Sequence, residues 1–231
     1  MTKVMLIGTV HGDPNGSERL KKKLLEINPD VLSIESSTES LRVLENNNAE
    51  IRKRISEMKV RDVSEKIINL FSSIASRYDY ESLVPKEYSE THNIPLYLSD
   101  FPEIKREGIN KAFESLAELV KQLPPGMELP VPSQEDLTKK IEQVYNFGLA
   151  LLEGRYSSKE VEGFLEPFRG NLIGQRDEYM GKGIIGIVQE QKYGILAHVG
   201  GFVHMIEDQK GQTLYSRIKK LNPQRILIHT S

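Results

Sequence analysis

The sequence predicts an α/β fold: a mostly parallel central sheet flanked by helices, with helical insertions over the cleft. Three observations predict it. Short, wholly apolar runs such as Val4–Ile7 and Val31–Ile34 have the pattern of strands buried on both faces. Helix-period stretches separate them, the alternation that builds parallel sheets. The first two runs flank one such stretch and so form a β-α-β unit, for which a right-handed parallel crossover is expected.

Element by element, Val4-Met5-Leu6-Ile7 is a strand closed by Gly8, and residues 12–16 are a loop. Asn15 followed by Glu18 fits a capping box for a helix with Leu20, Leu24 and Ile27 on one face. Asn28-Pro29-Asp30 ends that helix, and Val31-Leu32-Ser33-Ile34 is the second strand, with Glu35 at its end. Val63, Ile67, Leu70, Phe71 and Ile74 share a helical face. Ile94 to Leu98 is a third strand, closed by Ser99-Asp100. Ile109, Phe113, Leu116, Val120 and Leu123 predict another amphipathic helix. Residues 124–132 hold four prolines and a glycine, a semi-rigid joint between two halves of a single domain spanning 1–231. Beyond it, Leu137, Ile141, Val144, Gly148 and Leu151 predict a helix, and 157–168 a shorter one. A further helix covers about 171–189. A strand from Tyr193 to His198, a helix over about 211–220 and a last strand from Ile226 to Ile228 complete the chain.

Composition limits the function classes. Hydrophobic residues make up 38% of the 231, charged residues 28%, and the net charge is -2. A general nucleic-acid binder would carry a basic field instead. With no cysteine, any metal must be held by His, Asp or Glu. The run Val4–Ile7 is too short for a signal peptide, and no stretch approaches the ~20 apolar residues of a membrane span. The expectation is a cytoplasmic protein acting on a peptide or small molecule, with a homo-oligomer left open.

Parallel α/β sheets bind ligands beyond the carboxyl ends of their strands. His11, Glu35 and His198 fall at such ends, and Asp100 at a fourth. Two neutral imidazoles and a carboxylate suit a divalent metal with an open coordination position, whose bound water becomes a nucleophile near neutral pH. Without metal, the same groups suit general acid–base work. Taken singly, each fits a loop cap or a solvated residue equally well. His204 follows Gly200-Gly201 at another strand exit and competes with His198. His92, ahead of its strand, and His229, on the last strand, have weaker claims. Arg176 lies within the apolar stripe of its helix, four residues from both Leu172 and Met180, so it needs a buried partner such as Glu35 or Asp177. It serves either to stabilise substrate charge or as a structural ion pair. Gly181-Lys182-Gly183-Ile184-Ile185-Gly186 spells G-x-G-x-x-G but falls inside a helical pattern instead of following a strand, so no nucleotide cofactor is expected.

Four motifs in order carry a family resemblance spanning nearly the whole chain. Gly8-Thr9-Val10-His11 resembles the G-T-x-H opening of the TraB/PrgY proteins and their Tiki relatives. Glu35 resembles their acidic residue after the second strand. Gln175-Arg176-Asp177-Glu178-Tyr179-Met180 resembles their E-R-D/N-x-x-M helix, with Gln175 replacing glutamate. Leu196-Ala197-His198-Val199-Gly200-Gly201 resembles their G-x-G-H-x-x-G segment, with Ile195 replacing a glycine. The resemblance implies a fold of the erythromycin-esterase/ChaN-like type and a metal-dependent peptidase, or a related amide or ester hydrolase, using Mn, Co or Zn. It implies His11, Glu35, His198 and His204 as candidate metal ligands. Glu35, Arg176, Asp177 and His198 are the candidate catalytic residues, with Arg176 stabilising an oxyanion and Asp177 orienting a neighbour. The alternative is a protein that sequesters a peptide, metal complex or small anion without chemistry. Many relatives carry membrane helices; this chain has none. Finally, the stretches 36–93 and 103–170 leave from carboxyl ends of strands and are expected to cover the cleft.

Overall fold

The first strand, β1 (Lys3–Thr9), buries every residue after Lys3, as its unbroken apolar run requires of a strand covered on both faces. β2 (Val31–Ile34) and β4 (Ile195–Gly201) are buried in the same way. β3 (Leu96–Leu98) and β5 (Gln224–Leu227) are more exposed and form the edges. The five strands make one parallel sheet in the order β3-β2-β4-β1-β5. The computed structural model describes residues 2–42, 44, 46, 53, 56, 80–100, 133–170 and 173–229. The helical patterns over 63–74 and 109–123 and the proline-rich stretch 124–132 lie outside these residues.

β1 and β2 are parallel and joined by α1 (Gly16–Ile27), yet they are not neighbours, because β4 pairs with both. The late strand takes the centre, and its Leu196, Ala197 and Val199 are buried to 1% exposure or less. The sequence also led us to expect β4 to stop at His198. It runs on through Gly200 and Gly201, which pair with Gly8 and Thr9, and the Thr9 hydroxyl donates to the Gly200 carbonyl at 3.0 Å.

α1 buries Leu20 and Leu24 completely. It ends at Asn28, in the left-handed region at φ 48°, whose N–H returns to the Leu24 carbonyl. Its start differs from the expected capping box, since Asn15 makes no side-chain cap. Buried Asp13 instead accepts from the Asn15 N–H at 2.9 Å, from the Tyr145 hydroxyl at 3.1 Å and from Arg19 at 3.2 Å, tying the helix entry to the core. Of the later helices, α2 (Gln134–Leu152) is capped by Ser133 and α3 (Ser158–Leu165) by a Ser157–Glu160 capping box. α4 (Gln175–Gln189) packs on α5 (Leu214–Ile218), which is capped by Thr213.

The G-x-G-x-x-G string lies wholly within α4. A Cβ at Gly181 would sit 3.6–3.8 Å from Ile218, Arg217 and Leu214, so this glycine marks the closest approach of α5. Gly186 meets nothing within 4 Å. Gly186→Ala is therefore expected to raise stability by about 0.5–1 kcal/mol through helix propensity alone, read as a higher urea midpoint. A loss would mean that this stretch is not an ordinary helix interior.

The strand order also sets where a ligand would sit. After β2 the chain moves outward to β3, and after β4 it moves the opposite way to β5. Connections leaving two adjacent strands in opposite directions open a crevice at their carboxyl ends. Here that crevice lies between Ile34-Glu35 and the end of β4.

Candidate active site

Glu35 leaves β2 at this crevice, with its backbone N–H on the Val199 carbonyl at 3.0 Å. Its side chain, 9% exposed, reaches across the end of β4. One carboxylate oxygen takes Arg176 at 2.8 Å and lies 3.2 Å from His204 Nε2; the other takes the Gly201 N–H at 2.8 Å. The guanidinium of Arg176 is shared with Asp100, by contacts of 2.9 and 2.6 Å. The sequence argument named Glu35 and Asp177 as candidate partners for Arg176. The structure brings in Glu35 and Asp100, while Asp177, fully buried, serves His204. One Asp177 oxygen lies 2.9 Å from His204 Nδ1 and accepts the Leu214 N–H; the other accepts the Gly174 N–H at 3.3 Å.

Three carboxylates, one guanidinium and one imidazole thus form a continuous buried network. Burial works against the Glu35 carboxylate, but His204 and Arg176 outweigh it and hold its pKa well below the usual carboxylate range. Burial also opposes the His204 imidazolium, yet Glu35 and Asp177 push its pKa up to about 10. Near neutral pH, Glu35 is ionised and His204 is protonated. A guanidinium bound to two carboxylates fits the ion-pair reading of Arg176.

His198 behaves in the opposite way. It lies within β4, beside Leu6 of β1 and Ser33 of β2, rather than at the strand end where the sequence argument had it. Burial lowers its pKa to about 4, so the ring is neutral. Its Nδ1 is 3.0 Å from the Ser33 hydroxyl, which is 2.5 Å from the Ser99 hydroxyl. Its Nε2 is buried and has no hydrogen-bond partner among the described residues. An unpaired buried polar atom costs about 1–3 kcal/mol, which singles this nitrogen out within the crevice.

That nitrogen lies close against Gly200, where the missing side chain lets Glu35 and the His198 ring approach the strand. A Cβ at Gly200 would come within 2.9 Å of Glu35 Oε2 and 3.2 Å of His198 Nε2. One at Gly201 would lie 3.6 Å from Glu35 Oε2, 3.7 Å from His204 Cδ2 and 3.9 Å from His11 Nε2. His11, in the turn after β1, is half exposed, and its Nδ1 lies 2.5 Å from Glu81. Glu35 therefore lies against both glycines, with His198 on the Gly200 side and His11 and His204 on the Gly201 side. His92 does not join them; it stacks on Tyr88 ahead of β3. His229 stacks on Tyr145.

Two imidazoles and a carboxylate are suitable donors for a divalent ion. Among the described residues, however, no three His, Asp or Glu side chains are arranged to hold one, so no step below is routed through a metal. No described helix is long and apolar enough to cross a membrane. No protein-family model matches the chain, and neither a curated protein nor a solved structure is significantly similar to it.

Sequence reasoning missed Ser33 and Glu81. A serine inside the apolar run Val31–Ile34 signalled a buried partner, though not which one. Glu81 carried no signal.

Proposed function

We propose that the protein is a hydrolase of amide or ester bonds, working at the crevice between β2 and β4. The observation that carries the reading is the unpartnered His198 Nε2, buried beside Glu35 at Gly200, with His11 on the far side of Glu35 at Gly201. A neutral imidazole with a pKa of about 4 is a weak base but a good hydrogen-bond donor. If the Ser33 hydroxyl donates to Nδ1, Nε2 carries the proton and can stabilise negative charge developing on a substrate carbonyl oxygen. His11, closer to solvent, then takes a proton from water through Nε2 as the water oxygen attacks the carbonyl carbon. The C–N or C–O bond breaks, and the proton on His11 passes to the departing nitrogen or oxygen. Glu35 is too strongly ionised to serve well as a base. Its role is to fix the Gly201 backbone and His204 at the end of β4, with Arg176 and Asp100 holding Glu35 and Asp177 holding His204.

The test is turnover of a peptide library and of chromogenic esters by protein purified without a His-tag, with and without added Mn²⁺, Co²⁺ or Zn²⁺. Those arms read metal dependence directly. Cleavage is expected, with a loss of about 10²–10⁴-fold in His11→Asn and at least a tenfold loss in Glu35→Gln. Full activity in both variants would overturn this assignment of roles.

A further inference from the structure

We infer that Glu81 is a positioning residue that fixes the tautomer and aim of His11. The inference rests on the hydrolase reading only for its consequence in catalysis.

The described helical residues 80–92, ahead of β3, include three consecutive buried ones, Tyr80, Glu81 and Ser82. They are fastened to the exit of β1. The Tyr80 hydroxyl donates to the Val10 carbonyl at 3.1 Å, one residue before His11. The Tyr80 ring also occupies the space over Gly16, where a Cβ would come within 2.4–2.8 Å of ring atoms. Glu81 is thus held against the His11 turn by contacts independent of the imidazole.

Within this frame Glu81 meets His11 through a single oxygen, Oε2, at 2.5 Å from Nδ1. Its side chain is 8% exposed, while that of His11 is 54% exposed. The other oxygen, Oε1, is buried with no hydrogen-bond partner among the described residues. For stability alone this is a poor arrangement, because a buried carboxylate is costly unless all its acceptor sites are used. It is a good arrangement for orienting a histidine. A carboxylate on Nδ1 holds the proton there, makes Nε2 the acceptor nitrogen of the ring, and strengthens it as a proton acceptor. His11 Nε2 is the ring atom nearest the Cβ position of Gly201. The pairing therefore aims the basic nitrogen at the end of β4, beside Glu35 and His204.

The experiment reads the His11 tautomer by long-range ¹H–¹⁵N correlation on the full chain, at a pH above the imidazole's titration. The His11 signal is assigned from its loss in His11→Asn. In the wild type, Nδ1 is expected to carry the proton and Nε2 to resonate as an unprotonated nitrogen. In Glu81→Met, which keeps side-chain volume without an acceptor, the proton is expected to move mainly to Nε2, with thermal stability equal to or above that of the wild type. A purely structural salt bridge would instead predict a loss of stability. Wild-type His11 carrying its proton on Nε2 overturns the inference without any variant, so a failure of Glu81→Met to fold does not shelter it. An unchanged tautomer in folded Glu81→Met overturns it as well. This readout needs no substrate, so it stands or falls separately from the hydrolase reading. If both hold, Glu81→Met also lowers kcat at least tenfold with little change in KM.

Discussion

Arg176→Met is expected to cost about 3–5 kcal/mol of unfolding free energy, the cost of breaking a buried ion pair from one side. Arg176 neutralises Glu35 and Asp100 together, and its side chain is only 13% exposed. Methionine would fill much of the volume but leave two carboxylates facing each other in a buried crevice. Arg176→Lys would keep the charge while losing the planar fork that reaches both acids, so an intermediate loss is expected. Urea denaturation monitored by circular dichroism measures both. A loss below about 1 kcal/mol in Arg176→Met would show that water reaches this network and that the guanidinium is not what holds Glu35.

Stability is expected to peak near neutral pH and fall on both sides, with a separate set of groups behind each limb. His204 has a pKa raised from 6.5 to about 10. Its contribution is complete below 6.5 and is lost as pH rises toward 10, because the unfolded chain releases that proton first. Glu35 has its pKa lowered below 4.5, so its contribution is present above that value and is lost as pH falls through its folded value. His198, lowered from 6.5 to about 4, adds to the acid limb. Between those values the unfolded chain gains a proton that the native one refuses. One such proton gives a slope approaching about 1.4 kcal/mol per pH unit. Urea midpoints measured across the range should show this dome, and His204→Gln should flatten the alkaline limb. An alkaline limb unchanged in that variant would mean that His204 is not the group that titrates.

Much of the fold was legible because apolar runs of four residues mark strands buried on both faces, and β1, β2 and β3 lie close to where those runs predict. The sheet order was not. That β4 separates β1 from β2 is set by pairing between strands more than 160 residues apart, which no local pattern contains. Nor was the length of β4 legible, since a Gly-Gly pair in a strand usually signals its weakening or end; here it makes room for Glu35. At the site, Glu35 was one of the two partners named for Arg176, although the helix begins only at Gln175, after Gly174 at φ 123°, so the helical stripe running from Leu172 through Arg176 does not form. Asp100 was noted at its strand end but not as the second partner, since the geometry of the β2–β3 edge decides that. Glu81 stayed invisible because it meets His11 across a long excursion and belongs to no recognisable motif. The proline-rich stretch 124–132, expected as a joint, lies outside the described residues.

The most direct test of the central claim is kcat/KM of wild type and His198→Gln on one substrate found by the library screen. The account predicts a loss of at least 10²-fold in the variant, with kcat bearing most of it, because the buried Nε2 acts on charge that develops in the transition state. Cleavage by the wild type with no loss in a folded His198→Gln variant would contradict the account. So would the absence of cleavage of any library member, with or without added metal.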